Sequence, residues 1–307
     1  MQDNYGNSKV SLMNLNTPLF SSGGSSMVFP TVMEGAYGVW STKDVFGAGG
    51  NVIELVSSGA SPSTRNFTAT ELTDGTYASW VSSAPTVRTL YDQKGSNNLA
   101  NGFSGTAPLY IGASNTIKFD KGGFYGNTRQ LTVNVGNQLD TDFGGNTVTP
   151  HSQVTFAINA KDTTGSKGTG TQAMFGAIDS APTVAINQRG KLIVQNDSDQ
   201  KVGLRQRDGS YTIFDTIHDT AMGSSFENYI GGMQRNINSQ NLTQTLFDLF
   251  VDGTQEIDAD TNTLNTACQT RQFIFGGSRF ESQIAIAFDK TLTPSEITEL
   301  NTAMDNL

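Results

Sequence analysis

Thr86-Val-Arg-Thr-Leu-Tyr-Asp-Gln-Lys-Gly-Ser-Asn-Asn-Leu-Ala100 reads as a β-strand that runs into a tight polar turn. Its first half is β-branched and aromatic, which suits a pleated, half-buried surface. Its second half carries Asp, Gly, Ser and Asn, whose short side chains bond the neighbouring backbone. An Asp at the end of a buried strand can accept N–H bonds from the Gly-Ser-Asn-Asn loop that follows, with Tyr91 packed below it. Asp92, Gln93 and Asn97 are therefore architectural residues in the first reading. A direct contact with a sugar is the second reading of the same three.

The same rhythm extends in both directions. Asn51–Val56, Leu109–Ile111, Thr116–Phe119, Val154–Ile158, Leu192–Val194, Leu246–Val251, Phe273–Phe275 and Gln283–Phe288 are short apolar or alternating runs. Turn signals separate them, including Gly112-Ala-Ser-Asn115, Arg189-Gly190 and Asp252-Gly253, the last a favoured hairpin turn. Many short strands at this spacing predict a sandwich or barrel. A firm helix signal stands at the C-terminal end. Thr293 is its N-cap, Pro294 its first residue and Glu296 the third member of a capping box. Ile297, Leu300, Met304 and Leu307 recur on one face, and Gly75–Val81 reads as a weaker helical turn.

Composition supports an all-β chain. Charged residues make up 15% of it and glycines number 33, so polarity comes from Ser, Thr, Asn and Gln rather than Lys and Glu. The 18 Phe, 8 Tyr and 2 Trp can fill one sandwich core. Net charge is -9 and no Lys/Arg run occurs, so no electrostatic footprint for nucleic acid is present. No apolar stretch approaches the roughly 20 residues that span a bilayer, which argues against membrane insertion. The first residues, MQDNYGNSKV, lack the pattern of a secretory signal: either the chain is not exported by that route or a signal has been removed. Cys268 stands alone, so these 307 residues close no disulfide among themselves. A protein that folds in a reducing cytoplasm fits that count.

Residues 1–33 have no sustained period. Ser21-Ser22-Gly23-Gly24-Ser25-Ser26 is a flexible spacer, and Val10, Leu12, Leu15, Leu19 and Phe20 are isolated apolar residues beside it. They read either as a frayed tail or as an anchoring arm that becomes ordered on a neighbouring subunit. The sandwich then occupies 34–307.

Two stretches carry a family resemblance. Ala36-Tyr-Gly-Val-Trp40, Val52–Val56 and Thr86–Ala100, with Tyr91-Asp-Gln-Lys-Gly95 the most specific piece, resemble the N-terminal half of the arabinofuranosidase B catalytic domain. Leu249-Phe-Val-Asp-Gly253, Phe275-Gly-Gly-Ser278, Ile284-Ala-Ile286 and the helix opened by Leu292-Thr-Pro294 look like the close of laminin-G-like modules. The resemblance spans about residues 36–307, with the middle third matched by strand rhythm. It implies an all-β, concanavalin A-like β-sandwich (jelly roll) with a short C-terminal helix, to which the chain adds its N-terminal arm. Such modules also occur in phage tail and head-surface proteins. The expectation is thus a structural virion protein of a bacteriophage, made in the host cytoplasm and carried on the virion surface. Capsid or tail subunits are its expected partners, with host surface glycans and a homo-oligomer left open. A carbohydrate-binding adhesin is the alternative and a glycosidase the third reading.

Glycosidases set two carboxyl groups across one bond. The resemblance implies a nucleophilic Glu on a strand after the midpoint, yet the matching run Thr183-Val-Ala-Ile-Asn187 has no acid. Glu227, Asp215 and Asp219 are substitutes that no spacing selects, and the family's disulfides are missing. His151 and His218 have no ligand partners at metal spacing. Gly165–Gly170 lacks the helix and Lys-Ser/Thr of a phosphate loop. Asp258-Ala-Asp-Thr-Asn262 departs from a calcium loop at its sixth and twelfth positions and reads as a solvated loop. No catalytic residue, metal or cofactor is expected.

Overall fold

The β-branched and aromatic runs fold as strands. A computed structural model describes residues 31–101, 107–119, 121–122, 127–128, 130–134, 153–163, 172–178, 188–194, 201–207, 213–235, 245–262, 272–276 and 279–307. In chain order these form α1 (Thr31–Glu34), β1 (Gly38–Ser41), β2 (Asn51–Val56), β3 (Thr64–Thr68), α2 (Ala69–Thr73), α3 (Thr76–Trp80) and β4 (Thr86–Leu90). Next come β5 (Leu99–Ala100), β6 (Leu109–Ile111), β7 (Thr116–Phe119), β8 (Lys121–Gly122), β9 (Asn127–Thr128), β10 (Gln130–Asn134), β11 (Gln153–Asp162) and β12 (Gln172–Ile178). The rest are β13 (Gln188–Val194), β14 (Lys201–Arg207), β15 (Ile213–Ala221), β16 (Glu227–Arg235), β17 (Thr245–Val251), β18 (Thr254–Asn262), β19 (Gln272–Gly276), β20 (Phe280–Phe288) and α4 (Pro294–Asp305).

Antiparallel pairing sorts them into the two layers of a β-sandwich. The front layer runs β3-β2-β4, continues through β5 to β10, and ends β19-β12-β13-β14-β15. In the back layer, β1 and β7 share one edge of β20, followed by β11, β16, β17 and β18. The β6–β7 pair joins the layers, because β6 bonds β4 in front while β7 bonds β20 behind. Aromatic side chains fill the space between. Phe175 of the front layer meets Trp40 at 5.8 Å and Phe156 at 5.3 Å, both edge-on, and Phe275 meets Phe119 at 4.6 Å.

Along β11 and β20 the back layer is buried on both faces. Along β11, Val154, Phe156, Ile158 and Ala160 point between the layers and Ala157 points outward. In β20 the parity changes: Phe280 faces inward, and so do Ala285 and Ala287, with Ile284, Ile286 and Phe288 outward. The switch lies at Gln283, which has no partner where Asn159 pairs with Ile284 and Ala160 with Ser282. A one-residue bulge thus turns three large side chains out of the sandwich. They form a second core with Val32, Met33, Ala36, Val39 and Val45, closed by Ile297, Leu300 and Met304 of α4. Helix α4 starts as its sequence predicts: Thr293 Oγ1 accepts the Glu296 N–H at 3.3 Å and Glu296 Oε2 accepts the Thr293 N–H at 2.8 Å.

Several sequence expectations change in the structure. Val32 and Met33, placed with the arm, lie in the second core, so folded structure already includes Thr31. Arg189-Gly190 is not a turn but part of β13, which has partners on both sides. Ala177 alone stands opposite both residues, because Gly176 pairs with Lys191 and Ile178 with Gln188. Flanking ladders override local turn propensity, and the glycine marks a bulge. Asp258–Asn262 is likewise strand, not loop, with Asp260, Thr261 and Asn262 paired to Phe247, Leu246 and Thr245. Asp252 and Gly253 take φ of 48° and 77°, the twist a two-residue hairpin requires.

Leu300→Ala should cost about 2–5 kcal/mol in urea unfolding, the range for emptying a closed core site. Deleting Pro294–Leu307 should expose the second core and cause aggregation; a soluble truncation of unchanged stability would refute that packing. Thr293→Ala should cost about 0.5–2 kcal/mol. The Lys290 ammonium and then the Thr293 N–H hold the Glu296 carboxyl below its ordinary range. The stability this adds is present above the unfolded carboxylate pKa and is lost as pH falls through the lower folded value.

Candidate functional site

The turn that decides the fold is a clasp between the layers. Asp92 follows β4 of the front layer and is only 6% exposed. Its Oδ1 accepts the N–H of Val39, on β1 of the back layer, at 3.1 Å and that of Lys94 at 3.0 Å. Its Oδ2 accepts the Asn97 N–H at 3.2 Å. Gln93 continues the tie: Oε1 accepts the Val45 N–H at 2.7 Å, and Nε2 donates to the carbonyls of Ser41 at 3.0 Å and Lys43 at 2.6 Å. The Asn97 carbonyl accepts the indole N–H of buried Trp40 at 2.7 Å. Burial, and then the Asp92 charge, raise the pKa of the adjacent Tyr37 phenol, opposed by the Asn97 side chain.

Two glycines follow from close approach. A Cβ on Gly95 would stand 3.0 Å from Asp92 Oδ2, and one on Gly38 would meet the Trp40 ring at 2.5 Å. The Tyr91–Gly95 and Ala36–Trp40 patterns are therefore two halves of one joint. Asp92 and Gln93 spend their polar atoms on backbone groups. Tyr91 does not pack below the turn; it faces the opposite way.

That opposite side carries a polar patch the sequence reading missed. Val87 and Leu90 both enter the core, with two residues between them. The register shifts there, Glu54 pairing with Thr89 and Leu55 with Val87, so Arg88 is an extra residue. Arg88 and Thr89 consequently share the outer face above Glu54. Thr89 Oγ1 donates to Glu54 Oε2 at 2.8 Å, and Arg88 Nε lies 3.6 Å from the same oxygen. Tyr91 donates its hydroxyl to Asn66 Oδ1 at 3.0 Å, and Asn66 pairs with Glu54 across β2 and β3. Burial first and then the Glu54 charge raise the Tyr91 pKa, so the phenol keeps its proton at neutral pH. One ring, an amide, a carboxylate and a guanidinium thus meet beside a bulge, a device that re-aims side chains. The signal was present in Thr86-Val-Arg-Thr-Leu90, whose apolar pair is three apart instead of two.

The proposed catalytic substitutes fare differently. Glu227 Oε2 accepts the Gly223 N–H at 3.1 Å and the hydroxyl of Tyr229. Burial, followed by that bond, raises the Tyr229 pKa. Glu227 is tied into the strand end that it opens. Asp215, Asp219 and His218 lie on β15, and their side chains are outside the described residues, as are those of Asp258–Asn262. Val10, Leu12, Leu15, Leu19, Phe20, His151, Gly165–Gly170 and Thr183–Asn187 lie wholly outside them. Among the described residues no group of three or more His, Cys, Asp or Glu is placed to hold a metal ion.

No protein-family model matches the chain, and no curated protein matches it. Among solved structures, Trypanosoma rangeli sialidase is similar at a TM-score of 0.46 and 17% identity, covering 71% of this chain and 31% of that one. The binding domain of botulinum neurotoxin DC, solved with rat synaptotagmin II, is similar at 0.48 and 10%, covering 70% and 49%. The same domain in complex with SialylT gives 0.47 and 11%, covering 70% and 48%. The chain spans less than half the length of each of these proteins.

Asp92→Ala should strand three backbone N–H groups and cost at least about 3 kcal/mol, at roughly 1–3 kcal/mol for each. Asp92→Asn retains one acceptor oxygen and should lose less. Urea midpoints for the two variants check this, and equal stability to the parent would refute the clasp.

Proposed function

We propose that this chain is a non-catalytic, lectin-like surface module of a bacteriophage particle, a capsid decoration, fibre or tail-associated subunit. The observation that carries the reading is how the clasp spends its polar groups. The turn that resembles a glycosidase family uses its acid and amide to hold the two layers together, while the patch on the other side presents side chains outward. Glu227 is held in the same structural way. A saccharide hydroxyl both donates and accepts, and the outward patch offers both partners: Arg88 and the Asn66 amide as donors, Glu54 as acceptor. Tyr91 adds a flat apolar surface. Host surface glycans are the ligands this complement suits.

Residues 1–30 serve as the anchor on capsid or tail subunits. Ordering such a segment costs roughly 1–2 kcal/mol per residue. Val10, Leu12, Leu15, Leu19 and Phe20 recover about 1.5–3 kcal/mol each when buried. Repeated attachment of many copies to one particle supplies the surplus.

Purified particles should contain the chain in many copies, and removal of residues 1–30 should leave a folded sandwich that no longer attaches. A truncated protein at full occupancy would place the contact on the sandwich instead. Aryl arabinofuranosides and other aryl glycosides should not be turned over; turnover abolished by Glu227→Gln would make the chain a hydrolase. On immobilised glycans, Tyr91→Ala and Arg88→Ala should each weaken binding about tenfold, equivalent to about 1.4 kcal/mol.

A further inference from the structure

Three neighbouring strands fix the order of polar groups on the outward patch. Asn66 of β3 stands opposite Glu54 of β2, and Glu54 on its other side stands opposite Thr89 of β4. Strands in a sheet lie about 4.8 Å apart, so these three residues form a row across the layer with Glu54 in the middle. The extra residue Arg88 brings its guanidinium to the Thr89 side of the same carboxylate. From the end of β4, Tyr91 reaches across β2 and donates its hydroxyl to Asn66 Oδ1 at 3.0 Å. Burial, and then Glu54, raise the Tyr91 pKa while Arg88 lowers it, so both charges reach the phenol.

The bonds already made leave a definite remainder. Glu54 Oε2 accepts the Thr89 hydroxyl at 2.8 Å and faces Arg88 Nε at 3.6 Å; among the described residues no donor bonds Glu54 Oε1. The Asn66 amide has given its oxygen to Tyr91 and keeps its N–H donors. Arg88 keeps the Nη donors of its fork, on a side chain that is 60% exposed against 19% for Glu54. The row therefore reads donor, acceptor, donor.

That order discriminates between sugars. Two hydroxyls on adjacent ring carbons can both donate to one carboxylate oxygen, while each accepts from the donor beside it. Bonds to an ionised acceptor are the stronger kind. A carboxylate or sulfate on a sugar brings acceptors only and is repelled by Glu54 at the centre of the row. A sugar ammonium meets Arg88 in the same way. The chain's net charge of -9 further disfavours anions.

On the reading that this patch binds glycans, we propose that its ligand is a neutral sugar held through two adjacent hydroxyls by Glu54, Asn66 and Arg88. An apolar face of the sugar ring rests on Tyr91, and Glu54 excludes acidic sugars.

The test is a ¹⁵N–¹H NMR titration of the full chain with the methyl pyranosides of glucose, galactose and mannose, and with those of their uronic acids. At least one neutral glycoside should shift the amides of Glu54, Asn66, Thr89 and Tyr91 saturably, with an affinity that added salt leaves unchanged. Its uronic acid counterpart should bind about fivefold more weakly at low salt, in the range of one partly exposed charge contact. The 3-deoxy analogue has no adjacent pair of hydroxyls and should bind about tenfold more weakly. Glu54→Gln should weaken the neutral sugar and erase its advantage over the uronic acid, with circular dichroism confirming the fold. Equal or tighter binding of the uronic acid at these amides would leave a glycan site but overturn its neutral class. An unchanged affinity for the 3-deoxy sugar would overturn the paired hydroxyls. No saturable shift at these amides with any of the sugars would remove the glycan reading itself, and the proposal with it.

Discussion

A carboxylate taken out of water must find replacement donors, and in this protein Asp92 finds them on both layers of the sandwich. Its position after β4 belongs to the front layer, its bond to Val39 belongs to the back, and its bonds to Lys94 and Asn97 close the turn between. Losing that group would leave donors from both layers unpaired at once. The neighbouring residues serve the same joint: Gln93 carries it to Ser41, Lys43 and Val45, and the Trp40 indole locks onto the carbonyl of Asn97. Trp40 can lie there because Gly38, Ala285 and Ala287 are small along the inner face on which it rests.

This joint orients β1 and β20, and the second core depends on that orientation. The bulge at Gln283 turns Ile284, Ile286 and Phe288 outward on a layer already buried on its inner side. Such a surface cannot stand in water, so α4 and α1 are structural requirements. Three inward residues of α4, at about 1.5–3 kcal/mol each on full burial, contribute several kcal/mol to a fold whose net stability is of that order.

What was legible in the sequence followed local rules. The capping box of Thr293, Pro294 and Glu296, the Asp252-Gly253 hairpin and the run Asn51–Val56 each depend on a few adjacent residues, and each appears as read. The Asp92 turn was legible for the same reason, though its partner Val39, 53 positions away, was not. Arg189-Gly190 and Asp258–Asn262 misled because their neighbours in the sheet, not their own preferences, decide their backbone. The outward patch was half legible. A three-residue spacing between Val87 and Leu90 marks a bulge, but only the pairing with β2 shows that Glu54 stands opposite it.

Two irregularities of the outward faces differ in kind. Around Glu54 the groups alternate between donor and acceptor: Thr89 and Arg88 meet that carboxylate, and Tyr91 donates to Asn66 beside it. A network of this kind can exchange an internal bond for one to a hydroxyl with little reorganisation. On the outer face of the back layer Gly232 lies between Thr155 and Asp248 across β11, β16 and β17, so that row lacks its middle side chain. Both arise from single-residue irregularities in otherwise regular layers: an extra residue at Arg88 in one case, a missing side chain at Gly232 in the other. Where the described inward faces are committed to packing, such irregularities are the places where an outward face can acquire a specific shape and charge without disturbing the core.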